Sequence, residues 1–343
     1  MKLFHSLLYP LLGGLFCLSC SDDEQDSGTK QPTTAGEVTF GVDLTGFSTR
    51  VTQDGSSWND GDKIGTYVLD MKTLEPVTEA ANVPYVCSEE GASVSFTSTT
   101  PLKVQNDGTP VKFVAYYPYN ADVRNFNYPV QLAAQERGST ACDLLYAATK
   151  EEYTYSPENE PHISLNFTHR LAKVILKFVN MEKEPLEVSD VRIEGMQTAA
   201  SFNIQTDVLT VDESSVATIN PYHNATTGFY EAIILPSALT DSYKVSFVLD
   251  DREKEWIFTN LDIALPQFHK GYSYTFALYI DDSGFVEMGR LENVEGGNSS
   301  APWEDGSSED GTAEGDKTPV SGYAFTPADG TQQALADLSL IHI

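Results

Sequence analysis

Side chains able to do chemistry are plentiful in this chain, but their spacing does not suit catalysis. The six histidines are His5, His162, His169, His223, His269 and His342. No two have the spacing of a helical zinc pair such as HExxH. Adjacent carboxylates occur at Asp250-Asp251 and Asp281-Asp282, yet in a chain with 50 acidic residues such pairs are expected at turns without function. Calcium could sit on such clusters, but no EF-hand spacing is present. There is no Gly-rich phosphate loop and no G-x-S-x-G nucleophile elbow. The sequence therefore predicts no enzyme, no cofactor and no metal. Carboxylates that meet only in space would escape this reading.

Cysteine carries the clearest chemical signal. Lys2 precedes an apolar run over residues 3–16, broken by His5, Ser6, Pro10 and Gly13-Gly14. Spanning a bilayer needs about 20 apolar residues, so this run reads as a cleaved signal segment. Ser19 is a small residue directly before Cys20. The site resembles the lipobox of bacterial lipoproteins, in which cleavage leaves a lipidated cysteine at the new N-terminus. It departs from that box at Cys17, where Leu is usual. Cys17 is itself a poorer acceptor, because bulky Phe16 precedes it. The alternative is an ordinary signal peptide with incidental cysteines.

Ser21-Asp22-Asp23-Glu24 follows at once. It resembles the acidic signal that sends Bacteroidetes lipoproteins to the outer face of the outer membrane. A solvated linker is the plain alternative. The expectation is a signal peptide over residues 1–19, a lipid on Cys20 and an acidic flexible tether over 20–36. Cys87 and Cys142 remain. They could pair in an oxidising compartment, but two separate buried thiols are preferred.

The elements that must position any site are strands. Val38, Phe40, Val42 and Leu44 alternate with Glu37, Thr39, Gly41 and Asp43. The same period recurs at Val94 and Phe96, at Val111, Phe113 and Ala115, and at Val174, Leu176 and Phe178. It recurs again at Val245, Phe247 and Leu249, and at Tyr272, Tyr274, Phe276 and Leu278. Such alternation marks strands with one buried face. Short helical turns are expected only near residues 132–137 and 144–149. The fold class is all-β, with one β-sandwich over 37–160 and another over 161–303. The boundary falls in the polar stretch YSPENEPH, residues 155–162.

The 17 Tyr and 17 Phe make the body a packed one. A formal charge of −29 argues against nucleic acid, which needs clustered Lys and Arg. It also argues against electrostatic docking on anionic lipid. Residues 304–316 (EDGSSEDGTAEGD) have nothing to bury, so residues 304–343 are expected to be a disordered tail. The last six residues, LSLIHI, can be encoded by CTG TCT CTT ATA CAC ATC, which resembles a transposon end used as a sequencing adapter. The expectation is that the natural chain continues past about residue 337. A real terminal strand is the alternative.

Several segments together resemble the fimbrillin family of Bacteroidetes, in particular its Mfa-like branch. They are Thr49-Arg50-Val51, then Trp58-Asn59-Asp60-Gly61-Asp62-Lys63-Ile64-Gly65, then Ala115-Tyr116-Tyr117-Pro118-Tyr119. Asp143-Leu144-Leu145-Tyr146-Ala147, Phe167-Thr168-His169-Arg170-Leu171-Ala172-Lys173-Val174, Ile234-Leu235-Pro236 and Phe268-His269-Lys270-Gly271-Tyr272-Ser273-Tyr274 follow in order. Cys142 departs from the family, where a small polar residue is usual. The residues themselves read as structural. Gly61 and Gly65 flank a turn, Asp60 and Asp62 suit turn hydrogen bonds, and Trp58 with the 116–119 aromatics supplies buried faces. His169-Arg170 orders a loop at a strand start.

The resemblance implies transthyretin-like β-sandwiches and assembly into type V pili with other fimbrial subunits. In that family a surface protease cuts after a basic residue, releases the first strand, and a strand from another subunit takes its place. Residues 38–44 are then the strand to remove and Arg50 the cleavage candidate, with Lys30 a rival. A plain conformational role for Thr49-Arg50-Val51 weighs equally. The implied location is the outer membrane surface, or the fimbrium once polymerised. The second reading is a glycan-binding surface lipoprotein of a polysaccharide-uptake system. Trp58 and Trp303 would then be sugar platforms, although Trp58 suits the core better.

Overall fold

The computed structural model describes residues 35–43, 58–91, 93–158, 160–260, 265–281 and 286–296. Cys20, Lys30, Arg50 and Trp303 lie outside these residues, as do residues 304–343. The first half contains β1 (Ala35–Glu37), β2 (Thr39–Asp43), β3 (Lys63–Asp70), β4 (Val83–Cys87), β5 (Ser93–Thr97), β6 (Lys103–Gln105), β7 (Val111–Tyr117), β8 (Asn127–Gln131) and β9 (Leu145–Ala148). Next come β10 (His162–Leu165), β11 (Thr168–His169), β12 (Ala172–Asn180), β13 (Ser189–Glu194), β14 (Ala199–Asn203), β15 (Val208–Val211), β16 (Tyr222–Asn224) and β17 (Phe229–Ile234). The last are β18 (Ser237–Ala238), β19 (Lys244–Leu249), β20 (Arg252–Ile257), β21 (Gln267–Phe268), β22 (Tyr272–Ile280) and β23 (Val286–Gly296). The protein is all-β, as its period-two pattern predicts. Among the described residues the helical content is one 3-10 turn, Ser139–Cys142.

An eight-stranded sheet runs β10-β2-β5-β4-β3-β7-β9-β11. A five-stranded sheet runs β16-β17-β12-β22-β23. Both are antiparallel except at β10–β2 and β12–β22, which are parallel. Smaller sheets are β13-β19-β20, β15-β14-β8, β1-β6 and β18-β21. Alternation is plain where one face is buried: Val94 and Phe96 point inward from β5, while Ser93, Ser95 and Thr97 are exposed. In β3 it vanishes, because six successive residues are buried, as expected of a strand covered on both faces.

Three apolar clusters form the interior. One gathers Val38, Phe40, Trp58, Tyr85, Phe96 and Phe113 and reaches Phe167. A second gathers Val174, Leu176, Phe247, Trp256, Phe258 and Phe276. A third, with Tyr67, Tyr116, Leu132, Phe202 and Ile233, draws on both halves of the sequence. Three pairings cross the expected boundary near residue 160, one of them β11 with β9. The other two join β10 to β2 and β14 to β8.

Two local expectations are corrected. Residues 145–148 form strand β9, paired to β7, where a helical turn was expected. The run Leu-Leu-Tyr-Ala-Ala is too short for its period to be read, and pairing with a buried neighbour decides it. Gly61, at φ +88°, does sit in the turn, but Gly65 lies inside β3. A Cβ there would strike the Tyr116 ring, so Gly65 makes room for an aromatic rather than a turn. The carboxylate pair Asp250-Asp251 is a two-residue hairpin joining β19 to β20. Both residues have positive φ (50° and 59°), the backbone of a type I′ turn.

Candidate functional site

The most distinctive site is the slot that holds residues 38–43, which are β2 with Val38 before it and form the first strand of the eight-stranded sheet. β2 lies between β5 on one edge and β10 on the other, so its backbone is paired on both sides. Its register sets Phe40 opposite Phe96 and Val42 opposite Val94, and opposite Ile163 and Leu165 on the other edge. Val38, Phe40 and Val42 are essentially without solvent exposure. Phe40 packs edge-on against Tyr85 and Phe113, with centroids 4.8 and 5.8 Å away. Such pairs add about 0.5–1.5 kcal/mol beyond burial.

Polar contacts fasten the strand along its length. The Tyr85 hydroxyl donates to the Val38 carbonyl (2.9 Å) and accepts from the Leu102 N–H (2.8 Å). The Val38 N–H donates to the Leu102 carbonyl at 2.9 Å. Burial pushes the Tyr85 phenol up to about 12, so it stays a donor across the physiological range. The exposed side is braced by rings from the start of β10 and the segment before it. Tyr155 and Pro161 lie where a Cβ of Gly36 would be, and His162 lies where a Cβ of Gly41 would be. The His162 Nδ1 and the Thr39 hydroxyl share a hydrogen bond of 3.0 Å. The two glycines, Gly36 in β1 and Gly41 in β2, thus let side chains lie flat on both strands.

Trp58 is fully buried among Phe96, Tyr117 and Phe167, at 5.1, 5.3 and 5.5 Å. It is a core residue and offers no face to a sugar. Beside it, Asp62 accepts the Asn59 N–H at 2.7 Å and the Tyr117 hydroxyl at 3.3 Å. Burial raises the Asp62 pKa, and those two bonds pull it back. Asp62 therefore closes the turn, as its sequence position predicts. Asp60 is not seen to share that work.

The His169-Arg170 pair orders its surroundings more firmly than the sequence suggests. His169 Nδ1 meets Asp143 Oδ1 at 2.9 Å, with both side chains buried. Arg170 bonds both carboxylate oxygens of Asp207 and lies 4.8 Å from the Tyr146 ring centroid. A cleft of about 660 Å³ opens here, lined by Lys112, Tyr146, Tyr153, His162 and Arg170 among others. Cys87 is buried and Cys142 half-buried, and both thiols are free. Burial pushes both thiols up, so neither is a ready nucleophile. What the slot can do is hold an extended segment by backbone bonds and apolar pockets.

Residues 49–303 match the profile described as Fimbrillin-like. The chain belongs to the fimbrillin-like family. No curated protein matches this fimbrillin-like chain. Two solved structures share its fold, each described as a "putative cell adhesion protein". The Bacteroides uniformis structure is 23% identical, covers 77% of this chain and 98% of its own, and has a TM-score of 0.60. The Bacteroides ovatus structure is 16% identical, covers 81% and 100%, and has a TM-score of 0.55. The fimbrillin-like resemblance carried by the short motifs is thus upheld, and every motif from Thr49 to Tyr274 falls inside the matched span.

The buried cluster around Lys173, Asn224 and Glu231 escaped sequence reading. Its one visible signal is a lysine inside the apolar run of β12. Its partners lie some fifty residues away, and only the sheet order joins them.

Proposed function

We propose that this fimbrillin-like chain is a surface fimbrial subunit or accessory adhesin that assembles with other subunits by β-strand exchange. One observation carries the reading. The first strand is bonded on both edges and fills the centre of a core whose other members come from residues 58–167. Removing it would leave two strand edges and an apolar trough side by side, a template for a replacement strand. Strands β1 and β2 precede Arg50, the proposed cleavage point. Cys20 is the proposed lipid site, so the same cut would release the protein from its anchor in the outer membrane. The proposed organisation is two tandem transthyretin-like units, 37–160 and 161–303. Two of the apolar clusters support it, although β10 reaches back to β2.

The test is the mature N-terminus on intact cells, together with the behaviour of an Arg50→Ala variant. The proposal expects a terminus at residue 51 and SDS-resistant ladders of wild-type protein after treatment with an Arg-specific protease. The variant should stay monomeric and lipid-bound. A terminus at Cys20 in every fraction would overturn the cleavage step. The buried state of Trp58 weighs against the glycan-binding alternative, and glycan-array binding by the pure monomer would revive it.

A further inference from the structure

An unpaired strand edge offers its N–H and C=O groups to any passing strand. Charges, proline, bulges or short length discourage such pairing. Most edges of this protein are protected in one of these ways. β8, at one end of its three-stranded sheet, carries Pro129. β20 carries Arg252, Glu253, Lys254 and Glu255, and β13 has an irregular register between Ser189 and Arg192. β23 carries Arg290 and Glu292. β10 borders the cleft, beside Lys112 and Arg170. The end strands β1, β6, β11, β16, β18 and β21 have 3 residues or fewer.

β15 differs from all of these. It is the end of the β15-β14-β8 sheet opposite Pro129, and it reads Val208-Leu209-Thr210-Val211. It has no charge and no proline, its register with β14 is regular, and Val208 is 51% exposed. Among the described residues no strand pairs with its outer side. The bonding phase follows from its neighbour. Asp212 N–H donates to the Ala199 carbonyl at 3.0 Å, continuing the register in which Val211 faces Ala200. Bonded pairs alternate along an antiparallel ladder. Val208 and Thr210 therefore turn their backbone groups toward β14, and Leu209 and Val211 turn theirs outward. The Leu209 and Val211 side chains are only partly buried against the third apolar cluster.

We propose that β15 is a docking edge for a second copy of this chain, pairing antiparallel with its own counterpart across a two-fold axis at Thr210. In that register Leu209 of each copy exchanges both backbone bonds with Val211 of the other. The same step sets Leu209 beside Val211 on the inner face and covers what the monomer leaves half-exposed. Thr210 faces Thr210 on the outer face, a favourable cross-strand pair. Charge also selects this edge. The chain carries a formal charge of −29, so most of its surface would bring carboxylates together. β15 buries none. Asp207 would stand opposite Glu213 at each end of the ladder, but Arg170 bonds both Asp207 oxygens and places a cation there. The interface is isologous and closes on itself, so it gives a dimer rather than a fibre. It needs neither the cut at Arg50 nor a vacated first-strand slot, so it stands or falls separately from strand exchange.

The experiment is sedimentation of the purified, uncleaved full-length chain over rising concentration. Wild type is expected to dimerise, and the dimer should dissolve in SDS, unlike the ladders of strand exchange. Thr210→Lys sets two ammonium groups across the axis and should weaken the dimer at least about tenfold. Thr210→Asp should do the same, and mixing the two variants should restore a dimer. Thr210→Cys decides the matter should the charged variants fail to fold. Position 210 would be a non-bonded pair with Cα atoms about 4.5 Å apart, within disulfide reach. Oxidation should therefore link it across the axis, while Ser201→Cys, one strand inward on β14, stays unlinked. A wild type still monomeric at about 1 mM, the weak limit of specific affinity, overturns the proposal. So does a dimer indifferent to Thr210→Lys, a mixture that fails to re-pair, or equal cross-linking at positions 210 and 201.

Discussion

The Tyr85 hydroxyl donates to the carbonyl of Val38 at 2.9 Å, and it is the one side-chain bond reaching the backbone of that residue among the contacts described. It also receives the Leu102 N–H, so one oxygen joins three segments. Tyr85→Phe keeps the ring against Phe40 but leaves a buried carbonyl and a buried N–H short of a partner. The expected cost is about 1–3 kcal/mol, read as a shift of the denaturation midpoint. Hydrogen exchange at β2 should rise more than exchange at β12. Equal changes at both would show that Tyr85 does not single out the first strand.

Asp143→Ala removes the carboxylate that meets buried His169 Nδ1 at 2.9 Å. Losing one bond to a buried polar group costs about 1–3 kcal/mol. Urea unfolding of the variant should show this loss. An unchanged midpoint would mean that the pair contributes no net stability.

Gly195 has φ +89°, and a Cβ there would collide with the backbone carbonyl of Ser242. Gly195→Ala is expected to destabilise by at least about 1–3 kcal/mol from backbone strain. Gly61→Ala also has positive φ but meets open space, so it should cost less. Thermal melts of the two variants compare them directly.

Alkaline pH should unfold the protein. Burial pushes Tyr67, Tyr85, Tyr128 and Tyr146 from 10.0 up to about 12. The neutral phenol is favoured in the folded state. The unfolded chain therefore releases these protons first as pH rises. The stability linked to these groups is fully present below pH 10 and is lost between about pH 10 and 12. Phenolate absorbance and circular dichroism should change together in that window. Ionisation of these four phenols near pH 10 with no loss of structure would contradict the buried assignment of their rings.

The sequence was legible where one face of a strand is wet. Phe40, Phe96, Phe113, Leu176, Phe247 and Phe276 all fall on predicted inward positions and are buried. Leu249 and Tyr272, at the ends of two predicted stripes, are only partly covered. Legibility failed where both faces are dry, as at β9, because period two then disappears. It failed again for pairing between distant segments. Nothing local in His162–Leu165 announces a parallel partnership with Thr39–Asp43. The slot around the first strand could therefore be guessed only from the family resemblance, and the Lys173–Glu231–Asn224 cluster not at all.

That parallel partnership also sets a timetable. β2 is made early, but one neighbour, β5, comes some fifty residues later and the other, β10, more than a hundred. Synthesis runs from the N-terminus, and long loops must close before such pairs are rewarded. The segment that fills the centre of the first core is therefore among the first to emerge and among the last to be enclosed. Until residue 165 arrives, one of its edges stays open to any passing strand.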